Sequence, residues 1–288
     1  MNHQVVKEPV NLTWQLAQQL ADQHCEGCGW YHSHWQYMRL IGMGKTLSGQ
    51  SQWFYDQIQR WRDQSPLAVL ISGCADYSAF AHTVAALGLE NARKARIVAV
   101  DRCQTPLSLN DYLSQSLGVP INNEKQDIMD FDSIEKFDLI FTSSFLGFFN
   151  PAERVSLFRK YMQLLKPGGE LVFANRMKNE PEDVKMRFSA EATETSLQSA
   201  LILNRQCAGA EKMADAEFEK RMREYMCHSG SYPLNSAERL KSLMEQAGCI
   251  DYTIEERMPE LPQTKVPLVG YTFAERTPYL CVVVRKPL

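Results

Sequence analysis

The sequence predicts an α/β fold, a doubly wound and largely parallel sheet with a helical module before it and a helical insertion late in the chain. Three observations carry this. Short apolar runs alternate with helix-spaced stretches between residues 67 and 175, the pattern of strands covered by helices on both faces. All five tryptophans, Trp14, Trp30, Trp35, Trp53 and Trp61, precede the first of those runs, so residues 1–64 read as a distinct aromatic, helical cap. The alternation breaks at residue 178, and the polar, Met-rich stretch to about residue 230 is too long for an ordinary connection. The domain reading is therefore a cap, 1–64, and a sheet domain, 65–288, that carries an insertion at about 178–230.

Each element has its own signal. "LAVLIS", 67–72, is a continuous apolar run, as in a strand buried on both faces. A helix follows over 76–87, with Gly88 placed to end it. "ARIVAVD", 95–101, is the second strand, and a helix over 107–117 closes at Gly118. A weaker third strand falls at 119–121, and a polar loop then leads to "QDIMDFD". "FDLIFT", 137–142, is the fourth strand. Asn150 as cap, Pro151 at the first helical position and Glu153 in the first turn start the next helix. Val155, Phe158, Tyr161, Met162 and Leu165 keep helical spacing along it. "KPGG" ends it, with Gly168 and Gly169 allowing a tight reversal into the fifth strand, "ELVFAN", 170–175. A helix over 236–247 stops at Gly248. "YTIEERM" and "YLCVVVRK" are the last strands, joined by a proline-rich loop over 260–278. That direct link predicts an antiparallel hairpin at the sheet edge.

Composition narrows the class. Hydrophobic residues at 44% and charged residues at 23% describe an ordinary globular chain. A net charge of −3 with no basic stripe argues against a nucleic-acid partner. No apolar run approaches the ~18 residues of a membrane span, and the first residues lack a signal-peptide core. Eight scattered cysteines read as reduced thiols, so the expected setting is cytoplasmic.

Ligands on such sheets gather at the carboxyl ends of the strands, where strand order reverses. The first strand delivers Gly73, Cys74, Ala75 and Asp76 there, and the second delivers Asp101 and Arg102. The polar loop delivers Asp127 and Ile128, the fourth strand Thr142, Ser143 and Ser144, and the fifth Asn175 and Arg176. A carboxylate at Asp101 has two acceptor oxygens for the hydroxyls of a ribose. Asp127 suits an adenine amino group and Ile128 its ring face, which together describe an adenosine pocket. The first turn holds a single glycine, whereas a dinucleotide pyrophosphate asks for several. A nucleoside without phosphates makes no such demand.

The series "VLISGCADYSAF", "IVAVD", "QDIMDFD", "FDLIFTSSFLGFF", "LLKPGGELVFANR" and "SAERLKSLMEQAGC" resembles the class I S-adenosylmethionine (SAM)-dependent methyltransferases. The resemblance runs from about residue 67 to 286, apart from the insertion. It implies a Rossmann-like, seven-stranded sheet whose last two strands form an antiparallel hairpin, with SAM as cofactor. It places Gly73, Cys74 and Ala75, with Asp76 beside them, along the methionine part of SAM. Asp101 and Arg102 fall at the ribose, Asp127 and Ile128 at the adenine, and Thr142, Ser143 and Ser144 near the sulfonium.

Methyl transfer is an in-line displacement from an activated carbon, so alignment and desolvation supply much of the rate. Candidate bases or orienters are Tyr31, His32, Asn175 and Arg176, and Arg39 is a candidate partner for the carboxylate of SAM. The aromatic stretch "GWYHSHWQYMRL" is placed to act as a lid. With the insertion it would enclose a small-molecule acceptor. Two other readings use the same cofactor. In one, attack at another carbon of SAM releases methylthioadenosine, by cyclisation to azetidine-2-carboxylate or by aminocarboxypropyl transfer. In the other, the chain binds SAM without catalysis. Cys25 and Cys28, followed by His32 and His34, offer zinc-ligand types, but the pairs lie closer than in a zinc finger, so no metal is expected. "GMGKT" at 42–46 lacks the spacing of a phosphate loop. The edge hairpin and its proline-rich loop suggest a homodimer contact.

Overall fold

A computed structural model describes residues 10–44, 46–207, 212–259 and 277–288. The cap is built from α1 (Val10–His24), α2 (Gly29–Leu40) and α3 (Ser51–Gln59). The sheet domain follows as β1 (Ala68–Ser72), α4 (Ser78–Leu87), α5 (Leu89–Lys94), β2 (Arg96–Asp101), α6 (Gln104–Leu117), β3 (Asn122–Lys125), β4 (Phe137–Ser143), α7 (Pro151–Leu164) and β5 (Leu165–Arg176). The insertion holds β6 (Met186–Arg187), α8 (Ala190–Gln206), α9 (Asp215–His228) and β7 (Gly230–Ser231). The chain then closes through α10 (Ala237–Gln246), β8 (Asp251–Arg257) and β9 (Tyr279–Arg285).

The seven-stranded sheet runs β3-β2-β1-β4-β5-β9-β8. Neighbours from β3 to β5 pair in parallel, while β9 lies antiparallel to both β5 and β8. Strand order therefore reverses between β1 and β4, which fixes where a crevice opens. Side chains alternate across the central strands. Val69, Ile71, Ile97 and Phe141 pack one face against Phe54, Phe80, Val84 and Leu107. Leu70, Val98 and Ile140 pack the other against Phe158, Tyr161, Leu240 and Met244.

A third core belongs to the cap and the insertion together. Trp14, Tyr37 and Met38 pack there with Leu197, Ala200, Phe218, Met222 and Met226. The Tyr37 hydroxyl donates to Asn204 Oδ1 at 2.5 Å and accepts from the backbone N–H of Met213 at 2.8 Å. The two helical segments that stood apart in the sequence are thus one layer over the sheet. Arg154, fully buried on α7, fastens that layer to the turn after β4. It donates to the carbonyl of Leu146 on one side and to those of Tyr232 and Pro233 on the other.

Several boundaries differ from the sequence reading. The third strand is Asn122–Lys125, not 119–121, because it pairs only with β2 and needs no apolar face. Val119 is buried just before it. The first sheet helix starts at Ser78, since the Asp76 carboxylate accepts the Ser78 N–H at 2.8 Å and holds the preceding turn open. The helix expected from 107 begins at Gln104, and α5 carried no signal. "KPGG" is an irregular entry into β5, with pairing that shifts between Phe137 and Leu139. A Cβ at Gly169 would stand 3.0 Å from the carbonyl oxygens of Phe137, Lys166 and Asp138. The insertion holds a two-stranded ribbon, β6 with β7, where no strand was expected. The expected start of helix α7 is met in full: Asn150 and Glu153 form a reciprocal capping box. Residues 260–276 of the proline-rich loop lie outside the described residues. Among the described residues no helix is long and apolar enough to cross a membrane.

Candidate active site

A cavity of about 1010 Å³ opens at the carboxyl ends of β1, β2 and β4, beneath α2 and α9. It lies at the top of the ~300–1,000 Å³ range of small-molecule sites, which leaves room for a nucleoside cofactor and a small acceptor together. Gly73, Cys74, Ala75, Asp101, Arg102, Asp127, Ile128, Thr142, Ser143, Ser144 and Arg176 line it, as do Tyr31 and His32 from the cap.

The lone glycine of the first turn stands where one is required. Gly73 has φ +75°, and a Cβ there would meet Phe145 Cδ2 at 2.5 Å. The rest of the turn needs no further glycine, because Tyr77 is buried and hydrogen-bonds Thr13 of the cap through its hydroxyl. Asp101 is held in place by two backbone donors, the N–H of Cys74 on one oxygen and of Cys103 on the other, both at 2.8 Å. Burial raises its carboxyl above the usual range, and those two donors oppose the rise. Each oxygen keeps a further lone pair for a ligand hydroxyl. Asp127 Oδ1 accepts the N–H of Met129 at 2.9 Å, which positions the buried Ile128 beside it.

Arg39, Asp76 and Asn175 behave differently from expectation. Arg39 and Asp76 form an ion pair with both side chains nearly inaccessible, and neither lines the cavity. The guanidinium assigned to the cofactor's carboxylate is taken by a carboxylate of the chain, so the pair joins α2 to the turn after β1. Asn175 is 5% exposed and is likewise absent from the cavity wall. On a strand that faces cores on both sides, adjacent residues point to opposite faces, and Arg176 is the one that reaches the opening. Tyr31 reaches it too, but burial and the nearby Tyr225, Asp76 and Asp101 raise its phenol well above the ordinary value. A phenol raised in this way keeps its proton at neutral pH.

The roof was only half visible in the sequence. Tyr31 stacks with Trp35 of its own helix at 5.4 Å and with Tyr225 of α9 at 6.1 Å. Trp30 stacks with His228 at 5.9 Å. Tyr225, Met222 and Met226 face the cavity from the insertion, and Phe145, Phe148 and Phe149 from the turn after β4. The helical spacing of Met222, Tyr225 and Met226 was the signal that could have found them. His34 turns the other way, into the aromatic core beside Tyr37 and Phe218.

Residues 79–169 match the family model of a methyltransferase domain. Those residues form a methyltransferase domain. Such a domain is of transferase type. Solved structures agree on the fold of the methyltransferase domain. The SAM-dependent methyltransferase SibL, in its apo form, superposes with a TM-score of 0.52 at 15% identity, over 92% of this chain and 60% of SibL. The chain thus spans less than two thirds of that protein. The 1,6-didemethyltoxoflavin-N1-methyltransferase of Burkholderia thailandensis gives 0.52 at 15% identity, over 89% of this chain and 85% of its own. A sarcosine dimethylglycine methyltransferase assigned in Galdieria sulphuraria gives 0.55 at 13% identity, over 87% and 97%. No curated protein sequence matches the chain.

The wall suits the methyltransferase cofactor. Asp101 retains acceptor capacity at the end of β2, Ile128 offers an apolar face, and Gly73 leaves a stretch of backbone bare of side chain on the cavity wall.

Proposed function

We propose that the chain transfers the methyl group of SAM to a small molecule that carries a neutral nucleophile, an amine foremost, held under the aromatic roof. The observation behind this is the roof itself, in which Trp30, Tyr31, Trp35 and Tyr225 line one side of a cavity with room for two ligands. SAM supplies a methyl group on a sulfonium, already activated for displacement. Asp101 would accept the ribose hydroxyls, with Arg102 at its rim, and Asp127 and Ile128 would seat the adenine. Gly73, Cys74 and Ala75 would run along the methionine part, and Thr142, Ser143 and Ser144 would border the reacting end. The aromatic faces exclude water and favour a cation beside them, on the acceptor or the cofactor.

Proton removal has a small part in this reading. The Tyr31 phenol stays protonated, and His32 Nδ1 faces the carbonyl of Ala75 at 3.4 Å. Arg176 is a cation that orients. An acceptor with a free lone pair needs no base before attack. The net charge of −3 supports a small acceptor over a polyanion, and eight thiols with no disulfide among them are compatible with a cytoplasmic setting.

The test is incubation with SAM alone, then with a panel of small amines, with products followed by mass spectrometry. S-adenosylhomocysteine that forms only with an acceptor is the expected result. Methylthioadenosine formed from SAM alone would replace methyl transfer by attack at another carbon. Tight SAM binding with no turnover across the panel would leave a binding protein.

A further inference from the structure

Three sulfurs converge at the edge of the cofactor pocket. Cys25 and Cys28 lie on the turn between α1 and α2, where Gly27 adopts φ +99° and folds both thiols to one side. Cys103 caps α6, two residues after Asp101, from a part of the chain 75 residues further on. Its Sγ is 3.5 Å from those of both Cys25 and Cys28, and all three lie within 4.8 Å of one another. His32, in the first turns of α2, stands beside Cys103 and outside the 4.8 Å group of the three sulfurs. With Nδ1 donating to the carbonyl of Ala75, Nε2 keeps its lone pair, the arrangement in which metal-ligating histidines are found.

We propose that Cys25, Cys28, Cys103 and His32 form a tetrahedral zinc site that staples the cap to the sheet beside the cofactor's ribose. Zinc–sulfur bonds of about 2.3 Å at tetrahedral angles put sulfurs about 3.8 Å apart, close to the spacing here. A disulfide needs about 2.05 Å, and none of the cysteines is so paired. Four soft or borderline ligands with no open position describe a structural site. Its leverage is on Asp101, because the N–H of Cys103 holds one oxygen of that carboxylate. Metal loss would free the α1–α2 turn and loosen the loop that presents Asp101. The sequence offered His34 only as a ligand type beside Cys25, Cys28 and His32, with no metal expected; the fold sends His34 inward and brings up Cys103 instead.

The measurement is metal content of the full chain purified without chelator, by mass spectrometry of the elements. About one zinc per chain is expected in the wild type and in Cys227→Ser, which changes an exposed cysteine outside the cluster. Cys103→Ser and Cys25→Ser should each lose most of it, with circular dichroism to confirm folding. Cobalt in place of zinc should give thiolate charge-transfer absorption and strong visible bands of tetrahedral type, weakened in His32→Ala. Wild-type protein that is free of zinc and takes up none on titration, with its thiols reduced, overturns the proposal. So does a Cys25–Cys28 disulfide in metal-free protein. Neither readout depends on the reaction catalysed.

Discussion

The floor and the roof of the cavity are built on different principles. The floor consists of strand ends, where backbone hydrogen bonds fix each residue. Asp101 is held by two N–H groups, and Gly73 by its dihedral angle and the Phe145 ring. The roof consists of helices that meet each other only in the folded chain, through a core shared by the cap and the insertion. Changes in the floor should therefore strike the cofactor, and changes in the roof should strike the acceptor or stability alone.

The sharpest test of that contrast is Asp101→Ala. It removes the acceptor of two backbone donors as well as the ribose contact, and each charge-assisted bond contributes about 1.5–3 kcal/mol. SAM affinity should fall at least about 100-fold by calorimetry, and an unchanged Kd would dissociate the floor from the cofactor. Gly73→Ala adds a side chain at a positive φ and against Phe145, and overpacking costs about 1–3 kcal/mol. Cofactor affinity should drop about tenfold or more, and Phe145→Ala in the same chain should recover part of the loss. Recovery would locate the cost in the ring contact; none would locate it in the backbone.

Roof changes should leave the cofactor Kd within about twofold. Tyr225→Leu keeps an apolar side chain but removes an aromatic face worth about 1–2 kcal/mol to a cation. The KM for an amine acceptor should rise about tenfold. A matching loss of SAM affinity would move Tyr225 from the acceptor's side to the sulfonium's. Tyr37→Phe deletes the hydroxyl that joins cap to insertion at Asn204 and Met213. Unfolding should cost about 1–3 kcal/mol less, since two buried partners are left unsatisfied. His34→Leu is the smallest. Burial among aromatic rings pushes the imidazole down to about 3, and neither ring nitrogen has a hydrogen bond. An apolar replacement should be neutral or mildly stabilising in thermal unfolding.

The same contrast explains what could be read in advance. Strand runs such as "VLIS" and "IVAV" are local signals of burial on two faces, and the capping box at Asn150 is complete within four residues. Strand-end positions follow from them, so Asp101, Asp127 and Gly73 were legible as a set. β3 was misplaced because a polar edge strand has no apolar signature. Arg39 was assigned to the cofactor because nothing along the chain indicates that Asp76, 37 residues away, would take its charge. Cys103 was read as one thiol among eight, since its partners lie 75 and 78 residues earlier.

By itself the sequence determined the parallel sheet, its antiparallel end, and the order in which strand tips bring Gly73, Asp101 and Asp127 to the cavity. These depend on hydrophobic period and on turn residues a few positions apart. The tertiary structure alone decided that cap and insertion form one roof, that Arg39 is neutralised from within, and that three cysteines meet. Those outcomes rest on contacts between segments distant in the chain, which local pattern does not encode.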